Sequence, residues 1–169
     1  MISSLPFELS YNDNNPIDMV EELSEAKGWV FSRYDDTAIN ITLPGQKTKL
    51  DLSMEWQEEF SALLIACSVP LEITGKNYEM AAQALEKINQ NLWLGHFDLS
   101  NKGKYPTFRH TLLLRMIPAG IAVDIIADIF EIAMAECNRF YTTFQLAEAG
   151  DVRLHDDLNA AVFETVGEA

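Results

Sequence analysis

The amino-acid sequence predicts an α+β fold, a mainly antiparallel sheet with its helices packed on one face, in the order α-β-β-β-β-α-β-β-α plus a C-terminal helix. Three features carry this prediction. A capped helix comes early in the chain, a stretch of two-residue periodicity follows it, and a long apolar helix lies near the end. Strands grouped in hairpins and separated by helices are typical of an antiparallel sheet covered on one side.

Length and composition indicate one acidic globular domain. The chain has 169 residues, of which 48% are hydrophobic, enough to build a core without disulfides or metals. Asp and Glu number 26 against 12 Lys and Arg, which gives a net charge of −14. Such a charge repels nucleic-acid phosphates and anionic membrane surfaces, so we expect neither as a partner.

We predict three parts along the chain. Residues 1–14 form a polar N-terminal tail, 15–148 a single α+β domain, and 149–169 an acidic C-terminal segment with a short amphipathic helix. The N-terminus lacks the basic and apolar regions of a signal peptide, and every apolar run is interrupted before about 18 residues. Together with Cys67 and Cys137, which both lie in apolar runs, this predicts a cytoplasmic protein with buried, reduced thiols.

The first helix has recognisable boundaries. Asn15 can cap it, Pro16 suits its first position, and Asp18 lies in the first turn, where the helix dipole favours a carboxylate. Gly28 provides the C-terminal stop.

Four strands are predicted after this helix, because the spacing of apolar residues changes from helical to alternating. They cover residues 29–35, 39–43, 49–56 and 60–69. Both faces of the fourth strand are mostly apolar or small, so we expect it to be central in the sheet.

The second half of the chain contains a helix, a hairpin and a long helix. Helical spacing predicts a helix over 77–94, closed by Gly95. A hairpin follows, with strands around 97–99 and 108–114 and a polar loop over 100–104. Both strands alternate between polar and apolar side chains, which predicts one face on the core and one face in solvent.

Three polar residues of this hairpin are the best candidates for a recognition site. Phe97 and Phe108 must face the same side of the sheet. His96 or Asp98 should then lie opposite Arg109. Two interpretations remain open, a small recognition patch sensitive to pH through its histidine, or a solvated ion pair that contributes little.

The long helix over 121–146 predicts a homodimer. Its polar residues form one narrow stripe, and nearly all other positions are apolar. Because a surface helix typically has an apolar stripe little wider than about 100°, we expect the excess to be covered by a second copy or another protein. The predicted interface residues are Ile125, Ile129, Phe130, Ile132, Phe140 and Phe144.

No sequence motif indicates catalysis. The chain has no phosphate-binding loop, dinucleotide fingerprint, nucleophile elbow or zinc-binding histidine pair, and its three histidines are scattered. We therefore predict no enzyme activity, no cofactor and no metal. The leading hypothesis is a protein-binding module. The alternative is a small-molecule sensor with a pocket between sheet and helices near Trp56, Trp93 and His110.

Several segments resemble the YbjN-domain proteins of bacteria. They read NPIDMVE at 15–21, LWLGHFDL at 92–99, FRHTLLLR at 108–115, AECNRFY at 135–141 and ETVGEA at 164–169. The resemblance covers about residues 15–169. It implies a regulator in bacterial signalling whose fold is similar to that of type III secretion chaperones, which are acidic dimers that hold a partner segment. It carries over no catalytic residues.

Overall fold

The computed structural model of the protein describes residues 15–99 and 104–150. In this part the elements follow the predicted order α-β-β-β-β-α-β-β-α. Their bounds are α1 Pro16–Lys27, β1 Val30–Arg33, β2 Ala38–Pro44, β3 Lys49–Gln57, a single 3-10 turn Glu58–Phe60, β4 Ala62–Ser68, α2 Asn77–Asn89, β5 His96–Leu99, β6 Pro106–Leu113 and α3 Ala119–Ala149. The predicted tail over 1–14 and the predicted C-terminal amphipathic helix lie outside the described residues.

The six strands form one sheet in the order β1-β2-β3-β4-β6-β5, and every neighbouring pair is antiparallel. β4 lies between β3 and β6, as its two apolar faces predicted. It begins at Ala62 instead of residue 60, because Glu58–Phe60 forms the 3-10 turn and Ser61 follows in a left-handed conformation.

One face of the sheet is buried under the helices. A row of apolar side chains crosses five strands in register and is almost completely buried: Ile41, Leu52, Cys67, Phe108 and Phe97. α3 packs on this row, since the rings of Phe140 and Phe144 lie 6.0 Å and 5.1 Å from that of Phe97. The opposite face carries mostly polar residues, which is the arrangement that the alternating sequence predicted.

α1 begins and ends at the predicted residues. The side chain of Asn15 accepts a hydrogen bond from the backbone N–H of Ile17, and Gly28 is left-handed at the C-terminus. The helix is tied to β1 by Arg33, whose Nη1 lies 2.6 Å from Glu21 and 2.7 Å from Asp18. Hydrogen bonds to these two carboxylates raise the pKa of Arg33 above its usual value.

α2 is shorter than predicted, since it ends at Asn89 instead of residue 94. The side chain of Asn89 accepts a hydrogen bond from the N–H of Phe97 at 2.7 Å and donates one to its carbonyl oxygen at 2.9 Å. These two bonds bring the end of α2 against the first residues of β5. The chain between them therefore turns back instead of continuing the helix.

α3 is covered on more sides than the sequence suggested. Ile129, Phe130, Phe140 and Phe144 are buried within the chain, whereas Ile125 and Ile132 are partly exposed. The sheet covers one side of α3, and α1 and α2 pack beside it. The burial of these four side chains removes the reason for predicting them at an interface, because the chain itself covers the excess apolar surface.

The two cysteines are buried and free, as predicted. The thiol of Cys137 on α3 donates a hydrogen bond to the backbone oxygen of Cys67 on β4, at 3.7 Å. Its interaction with the Cys67 side chain and its burial both raise the pKa of the Cys137 thiol. Among the helices that the structure describes, none combines the length and apolar character needed to cross a bilayer.

Candidate functional site

A cavity of about 370 Å³ lies at the edge of the sheet where β5 begins. β5 pairs with β6 only as far as the contact of His96 with Arg109, and beyond it β6 continues to Leu113 paired with β4 alone among the described strands. The cavity lies along this part of β6 and includes residues of β4. Its lining residues are Leu64, Ile65, Gly95, His96, Arg109, His110 and Thr111.

Two residues of the predicted polar trio, His96 and Arg109, line this cavity, and Asp98 contacts Arg109. His96 is directly opposite Arg109, which is one of the two pairings that the sequence left open. The guanidinium Nε of Arg109 lies 2.6 Å from Oδ2 of Asp98, and both side chains are partly exposed. The other carboxylate oxygen of Asp98 is buried and has no hydrogen-bond partner within the described residues. The structure thus brings the three residues together, and their role as a recognition patch stays a prediction.

His110 also lines the cavity, although it is not one of the trio. The alternative hypothesis placed a pocket between sheet and helices near Trp56, Trp93 and His110. Of these three residues only His110 lines this cavity, and the pocket between sheet and helices stays a prediction. Burial, followed by the nearby His96, lowers the pKa of His110 and so favours its neutral form.

The start of β5 depends on Gly95, which has a φ of +68°. A Cβ atom at this position would lie 2.6 Å from Cζ of Phe108 and 2.7 Å from the backbone oxygen of Arg109. Only a glycine fits here, because both the left-handed backbone and the close approach exclude a side chain. Gly95 thereby lets the chain turn sharply into β5 and leaves the next part of β6 open.

Next to the cavity, several large apolar side chains are exposed at one end of the sheet. We call Phe60, Leu113, Met116 and Ile121 the apolar end patch; their exposed fractions are 58%, 67%, 71% and 54%. The segments that carry the patch meet where β4 begins and β6 ends. Ala62 is opposite Leu113 there, and the backbone N–H of Leu114 donates a hydrogen bond to the backbone oxygen of Ser61. Leu64, which lines the cavity, lies two residues along β4 from Ala62.

The backbone at the apolar end patch is strained. Ser61 and Met116 have φ values of 49° and 62°, in the left-handed region that non-glycine residues rarely adopt. Conformations of this kind cost free energy and are concentrated at functional sites. Here the strained turn at Met116 presents a methionine side chain to solvent.

The groups that line the cavity suit the recognition of a ligand. Across residues 15–99 and 104–150, no three or more His, Cys, Asp or Glu side chains are grouped to hold a metal ion. Thr111 is the one hydroxyl residue among those that line the cavity. Arginine, imidazole and hydroxyl groups beside apolar side chains can bind and orient a ligand.

Comparison with known proteins gives one match. A family model described as "Putative bacterial sensory transduction regulator", YbjN, matches residues 16–146. Neither the curated proteins nor the solved structures contain a significant match. The matched segment spans all three helices and six strands except the last turn of α3. The chain belongs to the YbjN family.

Proposed function

We propose that this protein is a non-enzymatic regulator in bacterial signalling that works by binding proteins, first of all a second copy of itself. The family to which it belongs is described as a sensory transduction regulator, and binding is the kind of activity that the cavity and its surroundings support. The proposed interface is the apolar end patch, in which Ile121 is the only residue from α3.

The exposed apolar side chains of the end patch carry this proposal. Phe60, Leu113, Met116 and Ile121 are each more than half exposed although the chain has a well-filled core. Exposed apolar residues that cluster, unlike those scattered singly, are typical of interaction surfaces. Aromatic residues and methionine are also enriched in the centres of protein interfaces.

A second copy of the chain suits this patch electrostatically. The molecule carries a net charge of −14, so contact between most pairs of faces would bring like charges together. The four patch residues are uncharged, and the residues beside them have both signs, with Glu58 and Glu59 before Phe60 and Arg115 before Met116. In a two-fold arrangement the same patch meets itself, and Arg115 of one copy can face the acidic pair of the other.

A further protein partner has a place beside the patch, in keeping with a chaperone-like role. Beyond Arg109, no strand in the described chain pairs with β6 on the β5 side. The backbone groups of residues 110–113 on that side are available to an added strand. We propose that an extended segment of a partner protein pairs there, since strand addition is a common mode of peptide recognition.

The proposal includes a cytosolic location. Cys67 and Cys137 are free and buried next to each other. Unpaired thiols are typical of proteins in reducing compartments, where disulfides are rare.

Sedimentation velocity of two matched variants tests the dimer. Leu113→Asp places a carboxylate in the apolar end patch. Val30→Asp places one on β1, the edge strand at the other side of the sheet. Val30 is 72% exposed and, like Leu113, lies on the face of the sheet that the helices do not cover. We expect the wild type to form a dimer at micromolar concentrations. Leu113→Asp should weaken the dimer by at least about tenfold, because a carboxylate in an apolar contact loses hydration.

Val30→Asp should leave the dimer unchanged. A wild type that sediments as a monomer at every accessible concentration would exclude the proposed dimer. Equal weakening by the two variants would instead assign the effect to charge alone and exclude the end patch as the interface.

A further inference from the structure

The cavity beside β5 gathers basic side chains in an acidic protein. Of its seven lining residues, His96, Arg109 and His110 carry basic groups and none carries a carboxylate. The whole chain has more than twice as many acidic as basic residues. Arg109 is the one permanently charged group among the lining residues, since burial lowers the pKa of His110 and favours its neutral form. A lining that offers N–H and O–H donors and no carboxylate favours an anion over a cation.

Arg109 is held ready to bind an anion. Its Nε donates to Asp98 at 2.6 Å, which fixes the plane of the guanidinium group. The two terminal nitrogens have no hydrogen-bond partner among the described residues, and together they carry four N–H donors. The planar fork of an arginine matches the geometry of carboxylate and phosphate oxygens.

The neighbouring groups add further donors. His96 lies directly opposite Arg109, and Thr111 lies two residues along the same face of β6 and contributes a hydroxyl group. His110 follows Arg109 and lies on the other face of the strand. Neither imidazole makes a hydrogen bond to another described residue. Each neutral imidazole offers one N–H donor and each protonated imidazole offers two. Asp98 opposes anion binding, but its charge is offset by the Arg109 guanidinium.

We propose that the cavity binds a small oxyanion, held by the terminal nitrogens of Arg109 and by the imidazole of His96, which lie on the same face of the sheet. A carboxylate and a phosphate group share the required chemistry. Leu64 and Ile65, which pair with Thr111 and His110 on the neighbouring strand, add apolar lining and suit a short apolar portion of such a ligand. This inference goes beyond protein binding and does not depend on the dimer, since none of the four end-patch residues lines the cavity.

NMR titration of the histidine side chains tests the proposal. Inorganic phosphate and acetate are added separately to the full-length chain at constant ionic strength, near pH 6.5, where an ordinary histidine is about half protonated. His96→Gln and His110→Gln assign the two imidazole signals. We expect a saturable shift of the His96 signal with at least one of the two anions, whereas chloride at the same ionic strength should produce none.

Three variants separate binding at the cavity from non-specific effects. Arg109→Gln should lower the affinity by at least about tenfold, because the guanidinium fork is lost. Lys49→Gln, at an exposed lysine on β3, should leave it unchanged. Asp98→Asn keeps Arg109 and removes the competing negative charge, so it should raise the affinity several-fold.

The outcomes decide the proposal in each case. Shifts with phosphate alone indicate a phosphate-bearing ligand, and shifts with acetate alone indicate a carboxylate. Shifts no larger than those with chloride overturn the proposal, as do equal affinities of Arg109→Gln and the wild type. If Arg109→Gln fails to fold, a failure of Asp98→Asn to strengthen binding overturns it. The titration can fail while the protein still dimerises, so it is independent of the proposed function.

Discussion

At the scale of single residues, Gly95 determines whether the cavity can form. A Cβ atom there would overlap the backbone oxygen of Arg109, which cannot move without breaking the β5–β6 pairing. Gly95→Ala should therefore lower the free energy of unfolding by about 2–4 kcal/mol, from the left-handed backbone and the overlap together. Urea unfolding followed by tryptophan fluorescence measures the change.

Gly75→Ala is the matched control for this substitution. Gly75 also has a positive φ, of 56°, but a Cβ atom there would meet nothing within 4 Å. Its cost should be about 1–2 kcal/mol, from the backbone conformation alone. Equal losses in the two variants would show that the close approach of Gly95 to β6 contributes nothing.

His110 should make the stability of the fold depend on pH. Its pKa is lowered in the folded chain, chiefly by burial, so the unfolded chain, with a histidine pKa of about 6.5, binds the proton more readily. The wild type should then lose stability as the pH falls through about 6.5. His110→Gln removes this contribution. As the pH falls from about 7.5 to 5, the free energy of unfolding of the variant should therefore rise relative to that of the wild type.

Thermal unfolding of both proteins over this pH range measures the effect. Other titrating groups change both proteins equally, so only the difference between them matters. A difference that stays constant with pH would contradict the assignment of a lowered pKa to His110.

At the scale of elements, one side chain joins α2 to β5. Asn89 makes hydrogen bonds to both backbone polar groups of Phe97, whose side chain is buried in the core. Asn89→Ala should lower the free energy of unfolding by about 2 kcal/mol, because the backbone groups of Phe97 lose their partner. It should also speed hydrogen exchange of the Phe97 amide.

Asn91→Ala is the control, since Asn91 donates one exposed hydrogen bond to the carbonyl oxygen of Lys87. Its loss should cost less than about 0.5 kcal/mol. If the two substitutions cost the same, the bridge from Asn89 to Phe97 does not stabilise the fold.

The ends of the helices show which elements could be predicted from sequence. The start of α1 depends on neighbours within a few residues, since Asn15 caps Ile17 and Pro16 follows; such local signals are readable. The end of α2 depends on Asn89 reaching Phe97 across a turn, and the apolar spacing of Leu92 and Leu94 continues past it. That spacing reflects packing on the core, which helical periodicity alone could not distinguish from a longer helix.

Part of the candidate site could also be predicted from local sequence, and part depended on where a strand begins. The alternation around Phe97 and Phe108 predicts that His96 or Asp98 lies opposite Arg109, and the residue found there is His96. Membership of His110 in the same cavity depends on where β5 begins. The sequence contained a signal for where β5 begins. Gly95 marks that start, so β5 reaches only as far as Arg109, and the later residues of β6 have no partner on that side among the described strands.

At the scale of the whole molecule, the burial of α3 depends on how all three helices pack. α1 and α2 lie on either side of it over the sheet, and Trp29 packs against Phe130 with 5.5 Å between ring centroids. The sequence shows how much apolar surface a helix carries, but not how many neighbours share it. Phe140 and Phe144 are therefore core residues, and the unpartnered apolar surface lies instead at the end patch.

The dimer through the end patch is the central claim, and intermolecular NOEs test it most directly. A sample mixes chains labelled with 13C at the methionine methyl groups and unlabelled chains, and Met116→Leu assigns the signal of Met116. The account predicts NOEs from the Met116 methyl group to Phe60 or Leu113 of the second copy. A dimer with no such NOEs, or a sample that contains only monomer, would contradict it.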